Sequence, residues 1–237
     1  MNDIFRNLDE CITDACAFLE LSRSTFFELA EQWPEHDRRF IEYDDPTEFY
    51  QSWQGDIGRS NLCANILDQT ARFELTDVIR QLPNSSIEGD PLSLADVGCA
   101  SAAQTFPHVE RFDRVHLLDL PNLNQEFVAW RCKKRGYEHV GTGSLEDIEE
   151  PVHIMICFDV LEHIANSSEF FRVMDSKLRP DGLLLLRTPW YSMVPHIEHL
   201  PEAEESWKKQ GGENLLADQY KALHPLEYGG VYQKKKS

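Results

Sequence analysis

The chain has 237 residues and a formal net charge of −18, with 41% hydrophobic residues, five Trp and thirteen Phe. This supplies a substantial core, while the acidity disfavours a nucleic-acid partner, which needs clustered Lys and Arg. No apolar run reaches the ~18 residues of a membrane span. The N-terminus has no basic segment leading into an apolar one, and six cysteines form no C-x-x-C pair. A cytoplasmic protein with buried free thiols and no membrane partner is expected.

The first 90 residues read as helices. Asn2 or Asp3 is placed to cap a helix carrying Ile4, Phe5, Leu8, Ile12, Ala15 and Leu19 at helical spacing. Ser24 opens a second helix through Phe26, Phe27, Leu29 and Ala30, which Pro34 interrupts or ends. Asp45-Pro46 makes a helix opening, with the acid as cap and proline in the first turn, and Phe49, Tyr50 and Trp53 then share a face. Gly55 and Gly58 break that element. A long helix over 60–82 follows, presenting Leu62, Cys63, Ile66, Leu67, Val78, Ile79 and Leu82 to a core. Turn residues over 83–86 and 89–91 close the helical region.

From Leu92 onward strand and helix patterns alternate. Strands are expected over 92–97, 114–118, 139–142, 152–158 and 182–187. Helices are expected over 101–111, over 122–135 with Gly136 as its stop, and from Ser167 or Ser168 to near Leu178. Such alternation implies an α/β fold with a doubly wound, mostly parallel sheet. Beyond Thr188 the pattern weakens to helices over 202–209 and 215–223 and one strand over 226–232, interrupted by Gly229-Gly230. No terminal hairpin is evident, so the C-terminal edge of the sheet is expected to be shortened or remodelled.

The segment Leu94-Ala95-Asp96-Val97-Gly98-Cys99-Ala100-Ser101-Ala102 reads as a buried strand running into a tight turn of small residues, open to close approach by a ligand. Asp119 closes the second strand 21 residues after Gly98, a distance that suits the two hydroxyls of a ribose. Its plainer role is to cap the helix after Pro121. The full G-x-G-x-x-G is absent, which disfavours a nicotinamide dinucleotide and favours a ribose-bearing ligand without phosphates.

Four segments in order carry a family resemblance. They are Asp96-Val97-Gly98-Cys99-Ala100-Ser101-Ala102, Leu117-Leu118-Asp119-Leu120-Pro121, Ile156-Cys157-Phe158-Asp159-Val160-Leu161-Glu162-His163-Ile164, and Leu178-Arg179-Pro180-Asp181-Gly182-Leu183-Leu184-Leu185. Over residues 92–190 the chain resembles class I S-adenosylmethionine-dependent methyltransferases, particularly the ubiquinone-biosynthesis O-methyltransferases and related small-molecule enzymes. The resemblance implies a helical cap over 1–90 and an S-adenosylmethionine-binding α/β domain over 91–237. It places Gly98 and Ala100 against the methionine part of the cofactor, Asp96 as orienter of that turn or of the ammonium group, and Asp119 on the ribose. Leu120 would pack on the adenine, Ser144 and Leu145 would hold its edge, and Phe158 would face the methyl donor. Ala100 and Ala102 stand where the family often has glycine.

Asp159, Glu162 and His163 fall at i, i+3 and i+4, one face if the segment is helical. The resemblance implies, for members with an acid-x-x-Glu-His pattern, a divalent ion such as magnesium, with His199 or His196 as a later ligand. The bland alternative is that Asp159 caps the helix and the other two brace it. His163 is also the candidate catalytic base. Trp190, Tyr191 and Met193, with Phe49, Tyr50 and Trp53, are candidates for an aromatic acceptor lining. The implied activity is methyl transfer to O or N of a small-molecule acceptor; the alternative is a methyltransferase-like partner subunit without catalysis. The oligomeric state, a homodimer included, stays open.

Overall fold

The computed structural model describes residues 2–43, 46–82 and 91–236. The expected cap at Asp45 and the turns between 83 and 90 lie outside these residues, as do the side chains of 2–5 and 73–76. One seven-stranded sheet has the order β3-β2-β1-β4-β5-β7-β6. Its strands are β1 (Ser93–Val97), β2 (Arg114–Leu118), β3 (Val140–Gly143), β4 (Val152–Phe158), β5 (Leu178–Arg187), β6 (Tyr220–Leu226) and β7 (Gly229–Lys234). Two compact units divide the chain: the sequence up to Leu92 with Cys99–Gly143, and Ser93–Gly98 with Ser144–Ser237. Among the described residues no helix is long and apolar enough to cross a membrane.

The first unit holds α1 (Asn2–Leu19), α2 (Arg23–Asp37), α3 (Pro46–Gln51), α4 (Gly55–Ala71), α5 (Phe73–Arg80) and α6 (Leu123–Arg135), with β2 and β3 paired in parallel. Its core joins Cys11, Ile12, Ala15, Leu19, Phe26, Leu62, Cys63 and Ile66 to Ala103 and Phe127. The apolar spacing of α1 and α4 is thus satisfied by α6 and by the segment after the small-residue turn. Ser22, rather than Ser24, caps α2, accepting from the Thr25 amide at 3.1 Å. That helix runs on through Pro34, where neighbouring Trp33 packs on Trp53 at 5.3 Å; burial of the aromatic group offsets the lost backbone bond.

Three further expectations change. Gly55 and Gly58 do not break a helix: α4 begins at Gly55, and a Cβ on Gly58 would stand 2.4 Å from the Trp53 carbonyl oxygen, so close backbone approach requires that glycine. The single helix over 60–82 is two, divided at Arg72, whose ψ of 69° leaves the helical region. Likewise the helix over 101–111 shrinks to a 3-10 turn, Phe106–Arg111, because the preceding residues are spent on the turn after β1.

The second unit holds β1, β4, β5 and the C-terminal elements α7 (Ser167–Ser176), α8 (Pro201–Lys209) and α9 (Gly212–Gln219). β1 pairs with β4 and β4 with β5, all parallel, and the pairing centres on the buried run Ile154, Met155, Ile156 and Cys157. β7 inserts antiparallel between β5 and β6. The C-terminal edge is therefore complete rather than shortened, and the residues expected as a helix over 215–223 divide between α9 and β6. The reason is physical: β6 buries Tyr220 and leaves 221–225 exposed, so it lacks the alternation that marks a strand, and Pro225 is tolerated because no further strand needs its missing N–H. All six cysteines are free thiols.

Candidate functional site

After β1 the backbone turns through Gly98, Ala100 and Ala102 with φ of 71°, 46° and 51°. All three occupy the left-handed region, so the two alanines hold a conformation that ordinarily selects glycine. Asp119 lies at the end of β2, where its Oδ2 accepts from the Ala100 amide at 2.6 Å and its Oδ1 from the Leu120 amide at 2.7 Å. Burial outweighs these bonds and pushes the carboxyl up to about 6, while the Ala100 and Leu120 amides pull it down. Asp119 does not cap α6. That role belongs to Asn122, which accepts from the Asn124 and Gln125 amides at 3.0 and 3.3 Å. Gln125 in turn donates to the Asp119 and Gly143 carbonyls at 2.9 and 2.6 Å, fixing the ends of β2 and β3 together. Leu120 is half-buried beside it. Of the aromatic residues near α3, Phe49 is fully buried, and Trp53, in the turn that follows the helix, meets Trp33 edge-on.

In the second unit Asp96 is buried on β1, in register with Ile156. A Cβ on Gly98 would meet Val160 Cγ2 at 2.2 Å, so the ends of β1 and β4 approach closely only because residue 98 has no side chain. This is the switch point of the sheet, where the strand order reverses and ligands collect at carboxyl ends. Phe158 is half-buried at the end of β4; Ser144 is exposed and Leu145 buried. Ser144 and Asp147 form a capping box, with the Ser144 amide 2.7 Å from Asp147 Oδ2.

The acid-x-x-Glu-His segment is not an α-helix but a short 3-10 turn, Leu161–His163, so the helical spacing argument does not apply to it. Asp159 has φ of 57° and its carboxylate pairs with Arg187 on β5. Among the described residues, the converging donor atoms come from Glu162, His163 and His199, all within 4.8 Å of one another. Asp159 is outside that group, and so is His196, whose ring lies 5.3 Å from His199. Glu162 is fully buried and accepts from the Thr188 hydroxyl at 2.9 Å. His163 Nδ1 meets the Glu198 carbonyl at 3.0 Å, and His199 Nδ1 meets the Val194 carbonyl at 2.7 Å. A carbonyl only accepts, so each Nδ1 carries the hydrogen and, in the neutral ring, each Nε2 keeps its lone pair. Burial drives His163 down to about 3 and lowers His199, so both rings are neutral at pH 7, and His163 is a weak base. Of the residues after β5, Trp190 is buried against Trp207 at 5.6 Å, whereas Tyr191 and Met193 are exposed.

A family model described as a methyltransferase domain matches residues 68–225, more than half of the chain. The chain belongs to the class I S-adenosylmethionine-dependent methyltransferases. Among curated relatives, the ubiquinone biosynthesis O-methyltransferases of Rickettsia prowazekii and Rickettsia felis are 22% and 21% identical to this chain over 126 residues, 52% of it. The match spans about half of each relative, 50% and 52% of its length. Among solved structures, an O-methyltransferase family protein from Burkholderia thailandensis aligns with a TM-score of 0.61 at 12% identity, covering 90% of this chain and 71% of that one. The likeness is one of fold.

Sequence reasoning missed four participants. Arg187 takes Asp159, Thr188 holds Glu162, and Asn65 and Gln69 of α4 reach the turn after β1. A lone polar residue in an apolar helix pattern carries no signal of what it will face.

Proposed function

We propose that this chain transfers a methyl group from S-adenosylmethionine to an oxygen or nitrogen of a small-molecule acceptor. The observation that carries the reading is the Asp119 carboxylate, fixed by two backbone amides beside a left-handed turn of small residues. A carboxylate offers about four acceptor positions, so Asp119 can hold the turn and still accept from a ribose hydroxyl. Asp96, Gly98 and Ala100 would receive the methionine part, Leu120, Ser144 and Leu145 the adenine, and Phe158 would stand toward the reacting methyl. The cofactor supplies an activated methyl on a sulfonium. The chain's own contribution is to bind and align, which supplies much of the rate of such a displacement.

Glu162, His163 and His199 fit a divalent ion: two neutral imidazoles whose Nδ1 atoms hold the carbonyl bonds, and a buried carboxylate, with converging donor atoms. This set, with two nitrogens, suits zinc, manganese or iron better than the magnesium expected from carboxylates. Such an ion would supply Lewis acidity toward an acceptor hydroxyl. In this reading His163 is a ligand rather than the base.

Titration calorimetry with S-adenosylhomocysteine tests the donor site. The wild type should bind, and Asp119→Ala should weaken binding by about tenfold or more, the scale of one or two lost hydrogen bonds to a charged group. Equal affinity in both proteins would remove Asp119 from the site.

A further inference from the structure

The turn after β1 combines two features that oppose each other. A cofactor approaching the backbone needs the left-handed shape, yet Ala100 and Ala102 resist it because each carries a Cβ. Something outside the turn has to hold it.

That support comes from one face of α4. Gln69 Oε1 accepts from the Ser101 hydroxyl at 3.0 Å and from the Ala103 amide at 2.9 Å, and Gln69 Nε2 donates to the Cys99 carbonyl at 3.1 Å. One amide side chain thus grips residues 99, 101 and 103, bracketing both strained alanines. The Gln69 backbone carbonyl accepts from Gln104 Nε2 at 2.9 Å, and Asn65, four residues earlier on the same face, accepts from the Ser101 amide at 3.2 Å. The helix is itself anchored in the core by Leu62, Cys63 and Ile66, each fully buried. Asp119 reaches the same turn at the Ala100 amide.

We propose that Gln69 is a positioning residue for cofactor binding, holding the 99–103 turn in the left-handed form that glycines would otherwise provide. This rests on the reading of the turn as the methionine-binding segment. Gln69 touches neither donor nor acceptor in this account; it acts through the turn, by sparing the ligand the cost of ordering it.

The test uses the full chain and S-adenosylhomocysteine as probe. Gln69→Ala should raise Kd by about tenfold or more, since three hydrogen bonds to the turn go at once. Gln69→Glu keeps an acceptor for Ser101 and Ala103 but loses the donor to Cys99, and should recover part of that affinity. Cys63→Ala, a core change in the same helix, should lower the melting temperature while leaving Kd in place. If Gln69→Ala binds as the wild type does, or Cys63→Ala loses affinity as much as Gln69→Ala, Gln69 is only a structural part of α4 and the proposal fails. Absence of binding by the wild type would instead refute the donor reading. Amide hydrogen exchange on the ligand-free chain then decides the clamp alone: the Ala103 amide, which donates to Gln69 Oε1, should be protected in the wild type and exchange rapidly in Gln69→Ala, and equal rates would overturn it.

Discussion

Gly98→Ala joins two costs that can be measured separately. At φ of 71° an alanine sits in the left-handed region, which costs about 1–2 kcal/mol. Its Cβ would also stand 2.2 Å from Val160 Cγ2 and 3.4 Å from Val160 Cβ and Cγ1. A β-branched side chain is stiff and yields poorly, so relief of that overlap adds about 1–3 kcal/mol. The total, about 2–5 kcal/mol, is a large share of the 5–15 kcal/mol that holds a typical domain together. Val160→Ala removes both γ carbons and with them the steric part, leaving the backbone part. Urea unfolding of the wild type, both single variants and the double variant gives the coupling. Gly98→Ala should cost about 1–3 kcal/mol less in the Val160→Ala background. Additivity within about 0.5 kcal/mol would show that Val160 is not what excludes a side chain at residue 98.

Asp14 is buried on α1 and meets Arg131 at 3.1 Å, Lys134 at 2.8 Å and Arg135 at 2.9 Å. Burial works against its charge, but the Lys134 hydrogen bond and the Arg131, Arg135 and Lys134 charges prevail and hold its carboxyl below the ordinary 3.8. A depressed carboxyl contributes stability that is complete above its unfolded pKa and is lost as pH falls through the folded one. Asp14→Asn should therefore cost about 3–5 kcal/mol at neutral pH, leaving buried Arg131 without its carboxylate. The melting temperatures of the two proteins should converge as the pH is taken down from about 5 toward 3; parallel curves would refute the assignment. For the ion site, calorimetry with zinc and with manganese should show binding that Glu162→Gln and His199→Ala weaken by about tenfold or more. Asp159→Asn should leave ion affinity in place, because Asp159 is paired with Arg187. Loss of affinity in Asp159→Asn, or none in His199→Ala, would refute the ligand set.

The central strands were readable because each one is buried on both faces and bounded by turn residues: 152–158 was expected and Val152–Phe158 is found. Asp119 was legible as a residue at the end of a strand, though its bonds to Ala100 and Leu120 come from how the turn folds back, which no spacing encodes. The pattern at 159–163 misled because spacing of i, i+3 and i+4 presupposes an α-helix, and the backbone there turns left-handed at Asp159 and then 3-10. His199 joins Glu162 and His163 through a loop over 188–200 held by the Leu200 amide on the Glu162 carbonyl at 2.8 Å, a tertiary contact with no local signature. Strand β6 has no sequence signature for the opposite reason to the core strands: one exposed edge needs neither alternation nor freedom from proline.

The order of strands also governs how the protein is made. β7 is the last strand in sequence but occupies an interior place, with Leu183, Leu184, Leu185 and Leu186 of β5 paired along it. Until 229–234 have been synthesised, β5 presents an open edge next to a leucine run, the kind of template on which a second nascent chain can pair. Premature termination within the hairpin therefore produces a species prone to self-association, with the parallel part of the sheet already able to form.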